Sequence, residues 1–107
     1  MAERKVVEYL REGFSPFGKW FAGLDDQAAA KVTVALYRME QGNFSNVKSV
    51  GKGVYEYKIE FGPGYRIYFG QEAAEVVILL GGGAKKTQKK DIGIAHAFWA
   101  EYKAGKR

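Results

Sequence analysis

The sequence has no cysteine, a single histidine and only two prolines among its 107 residues. Without cysteine the chain cannot form a disulfide framework or a thiolate metal site. A zinc site needs three or four ligands, and one histidine cannot supply them. No apolar run approaches the roughly 20 residues that a membrane-spanning helix requires. We therefore expect a protein that works without a metal or cofactor and does not enter a membrane.

The start of the chain, MAERKVVEYL, lacks an apolar core of the length found in signal peptides, so we expect a cytoplasmic protein. The length suits one domain over residues 1–107. Apolar residues make up 47% of the chain, and 7 Phe, 7 Tyr and 2 Trp supply large core side chains. This composition is typical of a globular domain.

Positive charge is in excess, with 17 Lys and Arg against 12 Asp and Glu and a net charge of +5. A small basic domain of this kind binds polyanions or acidic proteins. Charge alone does not choose among nucleic acid, a ribosome, an anionic membrane and an acidic protein partner.

The first half of the chain predicts one strand and two helices. Residues 5–10 (KVVEYL) are a short strand candidate. Ser15, which precedes a proline, is an N-cap signal, and apolar residues then recur at helical spacing. Asp25 or Asp26 caps a second helix that ends before Gly42. The two helices form a predicted helical hairpin.

The second half predicts strands followed by a helix. Residues 54–61 and 65–69 alternate around a Gly-Pro-Gly turn, which predicts a hairpin with one buried aromatic face and one polar, charged face. A three-residue loop would pair Phe61 with Tyr65, Glu60 with Arg66 and Lys58 with Tyr68. Residues 75–80 are apolar throughout, as in a central strand that the following glycines 81–83 end. Thr87 caps a last helix over residues 88 to about 102.

This order of elements predicts an α+β fold: an N-terminal strand, a helical hairpin, a three-stranded antiparallel meander and a C-terminal helix.

Several motifs in the same order resemble the HigB-like "addiction module killer protein" branch of the RelE/ParE superfamily. They lie between about residues 14 and 103. In this sequence they read Glu40-Gln41-Gly42-Asn43-Phe44, Gly51-Lys52-Gly53-Val54, Gly62 to Tyr68, Gly82 to Lys85, and Gln88 to Ile92. The fold that the resemblance implies agrees with the element order above.

The resemblance implies the toxin of a type II toxin–antitoxin pair. RelE-like and HigB-like members are ribosome-dependent mRNA endonucleases, so the expected activity is cleavage of mRNA, which inhibits translation. The expected partners are the ribosome, mRNA and a cognate antitoxin, often of helix-turn-helix type, through which the complex binds operator DNA. ParE-like members instead inhibit DNA gyrase without nuclease activity. An inactive member that keeps only the binding surface is a third alternative.

RNA cleavage requires a proton to leave the 2′-hydroxyl, another to reach the leaving 5′-oxygen, and stabilisation of charge at phosphorus. Arg66 suits charge stabilisation because a guanidinium is always charged and forks onto phosphate. Lysines close to other cations can exchange protons. The predicted catalytic residues are therefore Arg66, Lys58, Lys85 and Lys86, and the hypothesis requires Arg66 and Lys85 to share an accessible patch.

The predicted RNA-binding residues are Lys89 and Lys90, and Tyr68 if it is exposed and stacks on a base. His96 falls on the core-facing side of the last helix, where a structural role is more common than catalysis. The family usually has Arg at the position of Lys58, and some members have Lys at that of Glu60. An acidic residue is frequent at the position of Ala84, and a tyrosine that some RelE-like enzymes use has no counterpart near Ile92.

Overall fold

The structure, a computed structural model, describes residues 3–105 and confirms the α+β class. Its elements in chain order are β1 (Lys5–Glu8), α1 (Pro16–Ala22), α2 (Asp26–Glu40), β2 (Val47–Ser49), β3 (Tyr55–Ile59), β4 (Tyr65–Glu72), β5 (Val76–Ala84), a 3₁₀ turn (Lys85–Thr87) and α3 (Gln88–Ala104). No helix within this range is both long and apolar enough to cross a membrane.

Side-chain caps set the start of the helical hairpin. Ser15 Oγ accepts a hydrogen bond from the backbone N–H of Gly18 at 2.8 Å, and Asp25 Oδ1 accepts one from that of Ala28 at 2.8 Å. Caps of this kind each contribute about 1 kcal/mol. Gly42, with φ of 81°, follows the end of α2. The predicted starts of both helices and the end of α2 before Gly42 are confirmed. The cap predicted at Thr87 is wrong in part, because the Thr87 side chain makes no capping hydrogen bond at the start of α3.

The strands described between residues 3 and 105 form one mixed sheet in the order β1-β5-β4-β3-β2. The predicted antiparallel meander is present as β3-β4-β5, and β1 runs parallel to β5. The sequence analysis did not predict β2, which begins at Val47 and pairs with β3. Three residues at a sheet edge are too few for alternation to be visible in a sequence.

The register predicted for the β3–β4 hairpin is wrong by two residues. Tyr65 pairs with Ile59 instead of Phe61, Arg66 with Lys58 instead of Glu60, and Tyr68 with Glu56 instead of Lys58. The loop is longer than predicted because residues 60–64 fold into their own turn. In that turn Gly62 and Gly64 adopt positive φ values, and the N–H of Gly64 donates to the carbonyl of Phe61 at 3.0 Å.

The glycines predicted to end the central strand lie inside it, because β5 continues through them to Ala84. Two of them make room for side chains. A Cβ on Gly82 would come within 2.3 Å of a ring carbon of Trp20, and one on Gly83 within 2.0 Å of an Asp91 carboxylate oxygen. The glycine run therefore allows α1 and α3 to approach β5 closely.

Both faces of the sheet are covered. One face packs against α1 and α2 through a core that includes Phe17, Met39 and Phe69. The other packs against α3 through a second core that includes Leu80 and Trp99. The predicted polar face is therefore wrong in part, since α3 covers much of it and three of its side chains are buried: Glu56, Arg66 and Tyr68.

Candidate functional site

An acid and a base are buried together on the face of the sheet that α3 covers. Glu56 lies on β3 and Arg66 on β4, and they are 1% and 4% exposed. Arg66 Nε lies 3.8 Å from Glu56 Oε2, an ion-pair distance that is too long for a hydrogen bond. Buried charges without a partner are costly, so each of these residues requires the other.

The β3–β4 turn fixes the far end of the Arg66 side chain. Arg66 Nη1 donates to the carbonyl oxygen of Gly64 at 2.7 Å. A Cβ on Gly64 would come within 3.2 Å of that nitrogen. The expectation that Arg66 is exposed on a polar surface is therefore wrong. The guanidinium lies just below the surface, held between the turn and Glu56.

Sequence reasoning missed Glu56, Gln88 and Lys48. Gln88 Nε2, at the start of α3, donates to Glu56 Oε1 at 2.8 Å. Lys48 Nζ, on β2, lies 3.9 Å from Glu56 Oε2 and its side chain is 66% exposed. Gln88 belongs to one of the motifs that carry the family resemblance, which is a signal that could have singled it out. Nothing local in the sequence distinguishes Glu56 from the exposed Glu60.

Two of the predicted lysines flank Arg66. Lys58 is its cross-strand partner on β3, has a 49% exposed side chain, and places Nζ 3.3 Å from Glu60 Oε2. Lys85 follows β5, the strand on the other side of β4, and its backbone N–H donates to the carbonyl of Pro63 at 3.3 Å. The structure thus places Lys58, Arg66 and Lys85 on three adjacent segments at the β3–β4 turn.

The remaining predicted lysines extend this positive charge along the start of α3. Lys86 lies in the 3₁₀ turn, Lys89 and Lys90 in the first turn of α3, and all three are exposed. Cations at a helix N-terminus oppose the helix dipole, by about 0.3–1 kcal/mol each at an exposed site. Their position therefore does not serve the stability of the helix.

Tyr68 does not have the expected exposure, since it is 1% exposed in the core beneath α3. Its hydroxyl is buried without a hydrogen-bond partner, and burial, with the Glu56 and Asp91 carboxylates nearby, raises the pKa of Tyr68. A base cannot stack on a ring in this position. The predicted RNA-stacking role of Tyr68 is therefore wrong. His96, for which a structural role was expected, has Nε2 2.9 Å from the carbonyl oxygen of Val50.

A groove of about 740 Å³ lies between α2 and the edge of the sheet, where β2 begins beside β3. The Glu56–Arg66 pair forms part of its wall. Four other cationic side chains line it: Lys31, Arg38, Lys48 and Lys58. Glu60 also lines the groove, so cations exceed acidic groups there and the arrangement can attract an anionic chain to the edge of the sheet beside the buried pair.

Comparison with known proteins gives the family. A profile of the family described as "Phage derived protein Gp49-like (DUF891)" matches residues 19–97, well over half of the chain. The chain belongs to the Gp49-like family. This family is associated with addiction-module toxins of the RelE and HigB kind. The association implies a cognate antitoxin as a partner.

One relative of the Gp49-like chain is a protein from Haemophilus influenzae that is described only as "Uncharacterized protein". It is 43% identical over 77 residues, which cover 71% of this chain and 78% of the relative. The Gp49-like profile begins in α1 and ends in α3, so it contains every residue of the buried pair and of the surrounding lysines.

Proposed function

We propose that this Gp49-like protein is the toxin of a type II toxin–antitoxin pair and that it cleaves mRNA on the ribosome without a metal. The observation that carries the proposal is that Lys58, Arg66 and Lys85 lie on three adjacent segments at the β3–β4 turn, with both lysines exposed. Lys58 and Lys85 belong to the segments on either side of Arg66, and the buried Glu56 carboxylate forms an ion pair with the Arg66 guanidinium. An antitoxin, of helix-turn-helix type in this proposal, neutralises the toxin and carries the complex to operator DNA.

In the proposed reaction the ribose 2′-oxygen attacks the adjacent phosphorus. The bond to the 5′-oxygen of the next nucleotide breaks, leaving a 2′,3′-cyclic phosphate and a free 5′-hydroxyl. Lys58 and Lys85 are exposed and can exchange protons with these two oxygens. Arg66 is buried, so in this proposal its positive charge stabilises the phosphate through the electric field and not by direct contact. Lys86, Lys89 and Lys90 bind neighbouring phosphates of mRNA or rRNA.

The test is a translation reaction programmed with a single mRNA, in which the 5′ ends of the products are mapped against the position of the ribosome. We expect cleavage with the wild type and a loss of about 100-fold or more with Lys58→Ala or Lys85→Ala, the range typical of proton-transfer groups. Lys5→Ala is the matched control. Lys5 is an exposed lysine on β1, at the other end of β5 from Lys85.

Intact mRNA in the presence of folded wild-type protein on translating ribosomes would contradict the proposal. So would cleavage by the two lysine variants at the rate of the Lys5→Ala control. Retained folding of each variant is established by its unfolding midpoint, because both lysines are exposed and contribute little to stability.

The burial of Arg66 favours a second candidate function, a ParE-like toxin that inhibits DNA gyrase by binding alone. A guanidinium that is 4% exposed has little surface to offer a phosphate, whereas the exposed lysines suffice for a binding surface. This candidate predicts reduced supercoiling by purified gyrase at a stoichiometric toxin concentration, with mRNA untouched in the translation reaction above.

A further inference from the structure

The first turn of α3, residues 88–91, is weakly attached to the rest of the fold. Among the described residues, its one side-chain hydrogen bond to the sheet joins Gln88 Nε2 to Glu56 Oε1 at 2.8 Å. The buried residues of α3, Ala95 and Trp99, lie further along the helix. Thr87 makes no capping hydrogen bond, so its side chain satisfies none of the first backbone N–H groups of the helix. The start of α3 is therefore held to the sheet mainly through Gln88.

Two features of the sequence weaken this part of the helix further. Gly93 lies between the first turn and the buried residues, and a Cβ there would meet no atom within 4 Å, so packing does not require a glycine. Glycine inside a helix favours unwinding relative to alanine. Four of the six residues 85–90 are lysines, which repel one another and oppose the helix dipole. Residues 88–93 are therefore the part of α3 that can unwind while Ala95 and Trp99 stay in the core.

Polar groups on the sheet face that α3 covers also favour such an opening. Arg66 Nε and the Tyr68 hydroxyl are buried without hydrogen-bond partners. Buried polar groups without partners destabilise the closed arrangement, because water would bind them once it reached them. The proposed reaction uses the charge of Arg66, yet this side chain is 4% exposed and cannot touch a phosphate. The closed arrangement thus keeps the guanidinium away from its proposed substrate.

From these observations we propose that residues 88–93 form a lid over Arg66 and that Gln88 is a positioning residue, which holds the lid closed through Glu56. The inference rests on the nuclease proposed above. RNA phosphates that bind the lysines at the start of α3 draw this segment away from the sheet, and the bond between Gln88 and Glu56 breaks. Arg66, which acts only through its electric field while the lid is closed, then binds the scissile phosphate directly. RNA opens the lid because it binds the open state more tightly than the closed one.

The test measures how fast phenylglyoxal, which reacts with accessible guanidinium groups, modifies Arg66 in the full chain, with mass spectrometry as the readout. Gln88→Ala should speed this modification by about tenfold or more, because it leaves Glu56 Oε1 without its donor when the lid is closed. Gln88→Lys keeps a donor to Glu56 and should react no faster than the wild type. Gly93→Ala should slow the modification about four- to fivefold, because alanine favours the helical state. Arg38, an exposed arginine in the same molecules, is the internal control and should react at one rate throughout.

Cleavage in the translation reaction separates a lid from a contact that only supports the fold. Gly93→Ala should lower the single-turnover rate of cleavage about four- to fivefold, although it stabilises the protein. Gln88→Ala should cleave at least as fast as the wild type, although it weakens the fold. A purely structural role for Gln88 gives the opposite ranking, with a loss for Gln88→Ala and none for Gly93→Ala. The Gly93→Ala result stands even if Gln88→Ala folds poorly.

An oligouridine with 2′-O-methyl groups, which cannot be cleaved, tests the effect of RNA itself. It should speed hydrogen exchange at the backbone amides of Ile92 and Gly93 but not at that of Trp99, and sodium chloride of equal ionic strength should not. The inference is overturned if exchange at Ile92 and Gly93 does not respond to the oligouridine. Equal modification of Arg66 in the wild type and the Gln88 and Gly93 variants overturns it as well.

These outcomes are separate from those of the nuclease proposal, because the modification of Arg66 needs neither RNA nor a ribosome. Protein that cleaves mRNA but shows the same Arg66 reactivity in every variant refutes the lid alone. Protein whose Arg66 reactivity follows the lid but which leaves mRNA intact on translating ribosomes refutes the nuclease alone.

Discussion

The close packing of Trp99 predicts that adding a single methyl group at Gly70 destabilises the protein. Trp99 is 6% exposed and packs α3 against the sheet. A Cβ on Gly70 would lie 2.5 Å from two carbons of the Trp99 ring, whereas carbon atoms in contact are normally about 3.5–4.0 Å apart. The ring cannot move freely, because Gly53 approaches its Nε1 and Tyr102 stacks on it with centroids 5.4 Å apart.

The expected size of the effect follows from overpacking a filled core, which costs about 1–3 kcal/mol. Unfolding entropy is roughly 2.1 cal/mol/K per residue near 60 °C, or about 0.22 kcal/mol/K for 107 residues. Gly70→Ala should therefore lower the melting temperature by about 4–13 °C. The measurement is thermal unfolding followed by circular dichroism, with urea unfolding to give the free energy.

Gly93→Ala is the matched control, because it is the same substitution with the opposite expected sign. Gly93 lies in α3, is exposed, and a Cβ there would meet nothing within 4 Å. Replacing a glycine inside a helix by alanine stabilises it by about 0.8–1 kcal/mol. If Gly70→Ala melts at or above the wild-type temperature while Gly93→Ala behaves as expected, the packing of Trp99 against the sheet is not as described.

Two further predictions concern buried and paired groups. Glu56→Gln should lower the free energy of unfolding, measured in urea, by about 3 kcal/mol, because it leaves the charge of Arg66 uncompensated. Glu60→Gln is the control: the Glu60 side chain is 80% exposed, so the change should be under about 0.5 kcal/mol. Equal effects of the two substitutions would contradict the buried pair. Burial and the neighbouring Glu101 carboxylate raise the pKa of Tyr9 to about 12, so the folded state holds this proton more tightly than the unfolded chain. Stability from Tyr9 is therefore complete below pH 10 and is lost as the pH rises towards 12. Tyr9→Phe should flatten that part of a plot of unfolding midpoint against pH, and an unchanged slope would show that Tyr9 is not responsible.

The helical half of the fold was predictable because its signals are local. Ser15 and Asp25 each cap a backbone N–H three residues away, and Gly42 follows directly on the helix that it ends. The three residues of β2 carried no such signal, since their pairing depends on β3 and on the turn that joins the two strands.

The hairpin shows what alternation in a sequence does and does not determine. A strand alternates with a period of two residues, so a register shift of two leaves every side chain on its predicted face. The faces of Tyr57 and Arg66 were therefore correctly separated even though their partners were wrong. Only the conformation of the loop around Gly62 and Gly64 fixes the register, and several loops are compatible with a Gly-Pro-Gly sequence.

Local sequence patterns could not predict that the polar face of the hairpin is buried. Alternation identified Glu56, Arg66 and Tyr68 as one face but could not show that α3 lies over it. The contact that brings α3 there joins Gln88 to Glu56, 32 residues apart in the chain. In contrast, the adjacency of the segments that carry Lys58, Arg66 and Lys85 was predictable because sequential antiparallel strands are neighbours in space.

The positive charge at the start of α3 is unfavourable for the helix itself. Lys86, Lys89 and Lys90 lie where the helix dipole and their own mutual repulsion oppose them. Asp91 is the single acidic residue in the first turn, and its carboxylate already accepts a hydrogen bond from Thr87 Oγ1 at 2.6 Å. A bound polyanion would reverse the sign of these unfavourable interactions, because each lysine would then face a phosphate. Binding of an RNA backbone, as proposed, would therefore offset the repulsion among Lys86, Lys89 and Lys90, which the fold alone leaves uncompensated.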